Sequence, residues 1–175
     1  MKILLIVLLT LSTNLFSWVT STPDIKNNNH TQNSKNYLWL NRNKDIDLTV
    51  LMGGDSKAFF TQNDLSRYLK LKMRGLISKL NIEKKIKIKD HSKMLLEVEL
   101  YEYNDNLGVY YGLISYGLNP SIYTKLKPKD YKITIAIAGN ERQIVNLVKA
   151  NIDSIIEKFA EDYFYIEDLA KREGK

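Results

Sequence analysis

The stretch MLLEVELYEY, residues 94–103, decides the fold, because apolar and polar side chains alternate along it with the period of a β-strand. Residues 104–108, NDNLG, have the composition of a turn. Residues 109–118, VYYGLISYGL, then run back as the partner strand. The two segments are therefore predicted to pair as an antiparallel hairpin.

The register of this hairpin follows from its apolar residues. Keeping the apolar residues of both strands on one face puts Tyr101 opposite Tyr111 and Tyr103 opposite Val109. That register needs a loop with an odd number of residues, since a two-residue turn would move one strand's side chains to the wrong face. The three tyrosines are then expected on the face away from the helices, as a contact surface for protein or carbohydrate. Alternatively, they are only good strand formers that pair with each other.

Two amphipathic helices flank the hairpin in the sequence. Thr61 and Asp64 form a capping box, and apolar residues follow at 3/4 spacing through residue 80. Gly75 in this helix indicates either a close approach to the sheet or a locally weak helix. Asn140 is a candidate N-cap for the second helix, whose 3/4 spacing continues over residues 145–166.

The order of these elements predicts the fold class. A β-branched strand at residues 46–52 precedes the first helix, and a further strand at 131–138 precedes the second. The order β-α-β-β-β-α indicates an α+β fold with an antiparallel sheet of four strands and both helices on one face. A fifth strand is optional near residue 86, where residues 82–90 form either an edge strand or a charged connection.

Residues 1–21 are typical of a secretory signal peptide. Lys2 supplies a positive start, residues 3–11 are apolar, and Val19 and Ser21 suit a cut between Ser21 and Thr22. The alternative is an uncleaved anchor, but the apolar run ends near Leu11, well short of the ~20 residues of a spanning helix. We therefore expect secretion across the inner membrane and no integral membrane segment after cleavage.

The remainder is predicted to be a single domain with flexible ends. Residues 22–44 are rich in asparagine and are expected to be a flexible lead-in. The apolar cluster at residues 37–40 is expected to dock on the domain, or else to contact a partner. Residues 45–166 form the α+β domain, and residues 167–175 form a charged tail.

Composition limits the compartment and the partners. The chain has no cysteine, which excludes disulfides, thiolate metal sites and lipid attachment through cysteine. A secreted chain without disulfides suits a bacterial periplasm. Its net charge of +6 is compatible with anionic envelope surfaces. The candidate partners are an envelope protein, lipid headgroups or cell-wall polymer, and nucleic acid is not expected.

A catalytic interpretation centres on Ser56. The tripeptide Gly54-Asp55-Ser56 lies between a strand and a helix, as the nucleophile does in GDS-type esterases. Such a serine needs a general base, and the two histidines are His30 in the lead-in and His91 in mid-chain. We therefore expect no enzymatic activity, no metal and no cofactor. The alternative is a small secreted hydrolase with Ser56 as nucleophile.

Lysines form a second candidate surface. The densest run is Lys84, Lys85, Lys87 and Lys89, and a smaller one is Lys125, Lys127 and Lys129. These residues predict an anion-facing patch if the two loops lie together. Alternatively, they are edge charges that prevent strands from pairing between molecules.

Four stretches resemble a group of small secreted bacterial proteins whose role is uncharacterised. They share an amphipathic helix, a tyrosine-bearing hairpin and a C-terminal helix ending in an aromatic pair. The matching stretches are DLSRYLKLKMRGL at 64–76, LLEVELY at 95–101, GVYYGLIS at 108–115 and IDSIIEKFAEDYF at 152–164. The resemblance implies a secreted α+β protein and lends no activity and no functional residues. Together these features predict a non-enzymatic envelope binding or scaffolding module.

Overall fold

One mixed sheet dominates the computed structural model, which describes residues 16–23, 25, 34–42, 44–83, 92–104, 107–120 and 129–174. Six strands are found within these residues: β1 (Phe16–Ser21), β2 (Asp45–Gly54), β3 (Asn81–Glu83), β4 (Ser92–Glu102), β5 (Val109–Asn119) and β6 (Tyr131–Asn140). Their order across the sheet is β1-β6-β5-β4-β2-β3. The α+β class is as predicted, but the strand count is higher.

The prediction of an antiparallel sheet is wrong in one half of the molecule. β2 runs parallel to β4, with Ile46 opposite Ser92 and Gly54 opposite Leu100, and β3 also runs parallel to β2. The other pairs, β4–β5, β5–β6 and β1–β6, are antiparallel. The physical reason is the crossover between β2 and β4, because a helix in that connection returns the chain to the same end of the sheet.

The predicted register of the β4–β5 hairpin is confirmed. Tyr101 lies opposite Tyr111, and the backbone N–H of Tyr103 donates to the carbonyl of Val109 at 2.8 Å. The loop therefore spans residues 104–108, an odd number as expected. Gly108 takes a positive φ of 58°, in the left-handed region that suits glycine.

The two long helices, α2 (Gln62–Leu76) and α3 (Glu141–Arg172), pack on one face of the sheet, while α1 (Trp39–Arg42) is a short helix. Both predicted N-caps are present: the Thr61 hydroxyl accepts from the Asp64 N–H, and Asn140 accepts from the Gln143 N–H. Gly75 is exposed, with no atom near the position of an added Cβ, which favours the locally weak helix. Residues 167–172, predicted as part of a tail, continue α3.

The N-terminal segments contribute to the domain. β1 lies inside the predicted signal peptide and pairs with β6, with Trp18 opposite Ala136. Residues 37–40 are buried in the core, so the expected docking of this cluster is confirmed. The indole N–H of Trp39 also donates to the carbonyl of Lys129 at 3.1 Å. Folded structure therefore begins upstream of residue 45.

A buried aromatic cluster joins the sheet to α3. The rings of Tyr116, Tyr131 and Phe159 lie within 6.2 Å of each other, centroid to centroid. The Tyr131 hydroxyl donates to the buried carboxylate of Asp162 at 3.0 Å, and Lys158 contacts the same carboxylate at 2.6 Å. Burial, together with the Asp162 charge, raises the pKa of Tyr131 far above its usual range, because both disfavour the phenolate.

None of the helices in the described residues combines the length and the apolar composition needed to cross a membrane.

Candidate functional site

The face of the sheet opposite the helices carries exposed apolar and aromatic side chains. We call it the open face and define it by residues of β2, β4 and β5: Leu51, Glu97, Glu99, Tyr101, Tyr111 and Leu113. Pairing joins them in rows, since Leu51 lies opposite Glu97, and Glu99 opposite Leu113. Within the described residues, both long helices lie on the other side, so this surface is open.

Tyr101 and Tyr111 form the aromatic part of the open face. Their ring centroids are 5.9 Å apart with an interplanar angle of 34°. The residues remain 40% and 49% exposed, and Tyr103, just beyond β4, is 55% exposed. The structure therefore brings all three predicted tyrosines to one end of the hairpin. The cross-strand pair leaves nearly half of each residue in solvent. Pairing with each other therefore does not fully explain why tyrosines occupy these positions.

The glycines that end β2 make room for this arrangement. Gly54 has a positive φ of 55°, and a Cβ there would lie 2.8 Å from Cε1 of the Tyr101 ring. A Cβ at Gly53 would lie 3.0 Å from Cγ of Glu99. The Gly53–Gly54 pair therefore lets β2 approach β4 while the Tyr101 ring lies against it. The two glycines are visible in the sequence as the end of a strand. Their role beside Tyr101 is not, because it depends on the parallel pairing of β2 with β4.

Leucines extend the patch on both sides of the two glutamates. Leu51 and Leu113 are each two-fifths exposed, whereas Glu97 and Glu99 are half-buried between them. By register, Trp18 of β1 continues the row of Leu113 and Ala136, and it is also exposed. Exposed apolar side chains with acidic groups between them can bind a partner molecule that offers apolar and basic groups. In the described residues no group of histidine, aspartate or glutamate side chains is arranged to hold a metal ion.

Ser56 is not placed for nucleophilic attack. Its residue has no exposed surface, and its hydroxyl donates to the carbonyl of Gly53 at 2.6 Å. This bond closes the turn of the 3-10 helix Asp55–Ala58 that follows β2. The neighbouring Asp55 carboxylate accepts instead from the backbone N–H of Glu102 at 2.9 Å. The Gly-Asp-Ser sequence thus anchors the end of β2, and its geometry lends no support to a hydrolase.

The predicted basic patch lies outside the described residues. Lys84, Lys85, Lys87 and Lys89 all fall there, as do Lys125, Lys127 and both histidines. Lys129 is described, and its backbone N–H donates to the carbonyl of Asn36 at 3.3 Å. The anion-facing patch therefore stays a prediction.

Comparisons with known proteins give structural likenesses only. No family model matches the chain, and no curated protein matches it in sequence. Among solved structures, a PelC dodecamer from Paraburkholderia phytofirmans is similar with a TM-score of 0.44 and 10% identity, covering 82% of this chain and 96% of that one. A minor lipoprotein from Acinetobacter baumannii has a TM-score of 0.36 and 12% identity, covering 67% and 90%. An uncharacterized protein has a TM-score of 0.42 and 8% identity, covering 67% and 88%.

Proposed function

We propose that this chain is secreted to the bacterial periplasm and acts there as a non-enzymatic binding or scaffolding module of the envelope. The observation that supports this proposal is the open face. Two adjacent tyrosines and two leucines remain exposed on the same face of the sheet, and clusters of exposed apolar residues mark interaction sites in soluble proteins.

The partner that this surface fits best is a protein. Leu51 and Leu113 flank the glutamates, and leucine side chains offer a sugar chain neither hydrogen bonds nor a ring to stack on. Exposed tyrosines are enriched at protein interfaces. Glu97 and Glu99 favour a partner that presents basic side chains at the matching positions, because complementary charges guide association.

Cleavage of the proposed signal peptide would leave the tyrosines of the open face in place. Cleavage after Ser21 would remove β1 and with it Trp18, leaving β6 at the edge of the sheet. Tyr101, Tyr103 and Tyr111 belong to the β4–β5 hairpin, which pairs with β2 and β6 rather than with β1. The tyrosine end of the face therefore stays intact in the processed chain.

Serine substitutions at Tyr101 and Tyr111 test the proposal in cells. We expect the wild-type chain to appear in the periplasmic fraction, processed, and to elute on gel filtration as a complex larger than the free protein. The variant carrying Tyr101→Ser and Tyr111→Ser should be secreted equally but elute as the free protein, because it loses two aromatic contacts worth a tenfold or greater change in affinity.

A matched control removes two aromatic residues elsewhere. Phe164 and Tyr165 on α3 are exposed to a similar extent, at 43% and 39%. Changing both to serine should leave the large complex unchanged. Retention of the complex by the open-face variant would contradict the binding role, and recovery of the wild-type chain in the cytoplasm would contradict the secretion.

A further inference from the structure

β6 is paired on both sides in the structure, but one of its two partners belongs to the predicted signal peptide. On one side β6 pairs with β5 over residues 131–140, and on the other it pairs with β1 over residues 134–138. Each edge of a strand takes one neighbouring strand, so β1 fills that edge of β6 over these five residues. Cleavage after Ser21 would therefore uncover residues 134–138.

The contact between β1 and β6 depends mainly on backbone groups. Residues 17–21 are all exposed, and Val19, which lies on the side of the helices, is 57% exposed. The Thr20 hydroxyl also donates to a backbone atom, the carbonyl oxygen of Thr134, at 3.0 Å. Because backbone groups are common to every sequence, the same edge is able to pair with an extended segment other than β1.

This edge of β6 lacks the protection that natural edge strands carry. Charges, prolines and bulges on an edge strand discourage pairing with another chain. Residues 134–138, Thr-Ile-Ala-Ile-Ala, include neither a charged residue nor a proline, and their pairing with β5 is regular. The irregularity in the β1–β6 pair lies in β1, between Val19 and Ser21. Without β1, the edge of β6 is therefore suited to accept another strand.

Small side chains on the open-face side of β6 leave room for larger ones on an added strand. Ala136 lies between Leu113 of β5 and Trp18 of β1, and Ala138 continues the row of Tyr111. An apolar or aromatic side chain beside either alanine extends the open face outward, because alanine does not fill its place in the row. A partner's strand with such side chains fits this edge better than β6 of a second copy, whose alanines would leave the rows unfilled.

We propose that, in the processed chain, residues 134–138 of β6 accept an extended segment of the partner protein in place of β1. The segment runs antiparallel to β6. Because side chains alternate along a strand, every second residue of the segment lies on the open face, where apolar or aromatic groups continue the rows of Leu113 and Tyr111. This inference rests on the proposed function, since it requires the removal of residues 1–21, and it specifies which part of the partner binds.

Peptide binding to the processed chain, purified from the periplasm, tests the inference. The probe is a fluorescent peptide with the sequence of β1, FSWVTS, and its Kd is measured by anisotropy. Two further peptides carry one N-methyl group, on Trp18 or on Val19. Neighbouring residues of an added strand point their N–H groups to opposite sides, so one of the two should bind at least tenfold more weakly and the other as the parent does. A peptide with Trp18→Ser should bind several-fold more weakly, because serine leaves the row of Leu113 unfilled.

Disulfide exchange locates the bound peptide. The chain has no cysteine, so a cysteine introduced by substitution is its only thiol. A peptide with Trp18→Cys, activated as the thionitrobenzoate disulfide, should react with the Ala136→Cys variant and release thionitrobenzoate at a rate that saturates with peptide concentration, because the two positions lie opposite each other. The control is Leu113→Cys, one strand further in, which is more exposed but should react without saturation. Circular dichroism checks that each variant is folded.

The outcomes separate this inference from the proposed function. Recovery of the chain unprocessed would contradict the proposed secretion and this inference together. A processed chain that binds no peptide at millimolar concentration, or that binds both N-methylated peptides equally, would overturn the inference alone. Equal reaction of the two cysteine variants would place the peptide elsewhere and overturn it too. Concentration-dependent dimerisation that excludes the peptide would assign the edge to a second copy of this chain instead of a partner protein.

Discussion

Replacing Gly112 by alanine is expected to destabilise the fold severely. A Cβ at this position would overlap the backbone carbonyl oxygen of Glu99 and would lie 2.8 Å from its carbonyl carbon and 3.0 Å from Cα of Leu100. These atoms belong to β4, which is hydrogen-bonded on both sides and cannot move away without disturbing β2. We expect a loss of more than about 4 kcal/mol in the free energy of unfolding, measured by urea denaturation.

The same substitution at Gly117 is the matched control. Gly117 lies in the same strand, and the atom nearest to an added Cβ is the Tyr131 carbonyl oxygen at 3.9 Å. Since glycine in a strand interior costs about 0.5–1 kcal/mol relative to alanine, Gly117→Ala should be neutral or slightly stabilising. Similar urea midpoints for the two variants would mean that the close approach of β5 to β4 is incorrect.

Replacing Lys158 by methionine is expected to cost about 3 kcal/mol in the free energy of unfolding, at the lower end of the range for breaking a buried ion pair. The Asp162 carboxylate is fully buried and is held by Lys158 at 2.6 Å and by the Tyr131 hydroxyl at 3.0 Å. Without the lysine, one neutral hydroxyl would have to compensate a buried charge. Part of the Lys158 side chain is exposed, which keeps the loss from being larger.

A more exposed ion pair, which joins the two long helices, provides the comparison. Lys72 of α2 contacts Asp153 of α3 at 2.8 Å, but both side chains are partly in solvent. Lys72→Met should therefore lower the midpoint of urea unfolding far less than Lys158→Met does, because exposed pairs contribute little. Equal losses would contradict the view that burial of Asp162, rather than the ion contact as such, sets the cost.

Local patterns in the sequence predict the hairpin and the helix caps. The Tyr101–Tyr111 pair follows from side-chain alternation and a loop of odd length, and Thr61 and Asn140 are recognisable as caps from their nearest neighbours. Each of these features depends on interactions over a few residues. Interactions between residues close in the sequence are therefore enough to predict the hairpin register and the helix caps.

The direction of β2 depends on distant parts of the chain and was missed. A strand, a helix and a strand in succession favour a parallel pair of strands. Here the lysine-rich run after residue 82 is compatible with an additional strand, so the sequence does not show which strand pairs with β2. The position of Leu51 and the role of Gly53–Gly54 beside Tyr101 follow only from that parallel pairing.

β1 was missed because its sequence supports two structures. Residues 16–21, FSWVTS, end a stretch with the composition of a signal peptide, yet they include good strand formers. In the structure they pair with β6, and residues 17–21 are all exposed. For residues 17–21, backbone pairing with β6 is therefore the main contact, and amino-acid composition does not reveal such pairing.

Site-specific photocrosslinking in intact cells is the most direct test of the claim that the open face binds a partner protein. A photoreactive phenylalanine analogue replaces Tyr111 in one strain and Phe164, on the exposed side of α3, in another. The account predicts a discrete adduct of one envelope protein from the Tyr111 position, in the periplasmic or membrane fraction, and none from the Phe164 position. The same adducts from both positions, or an adduct from Phe164 alone, would contradict it.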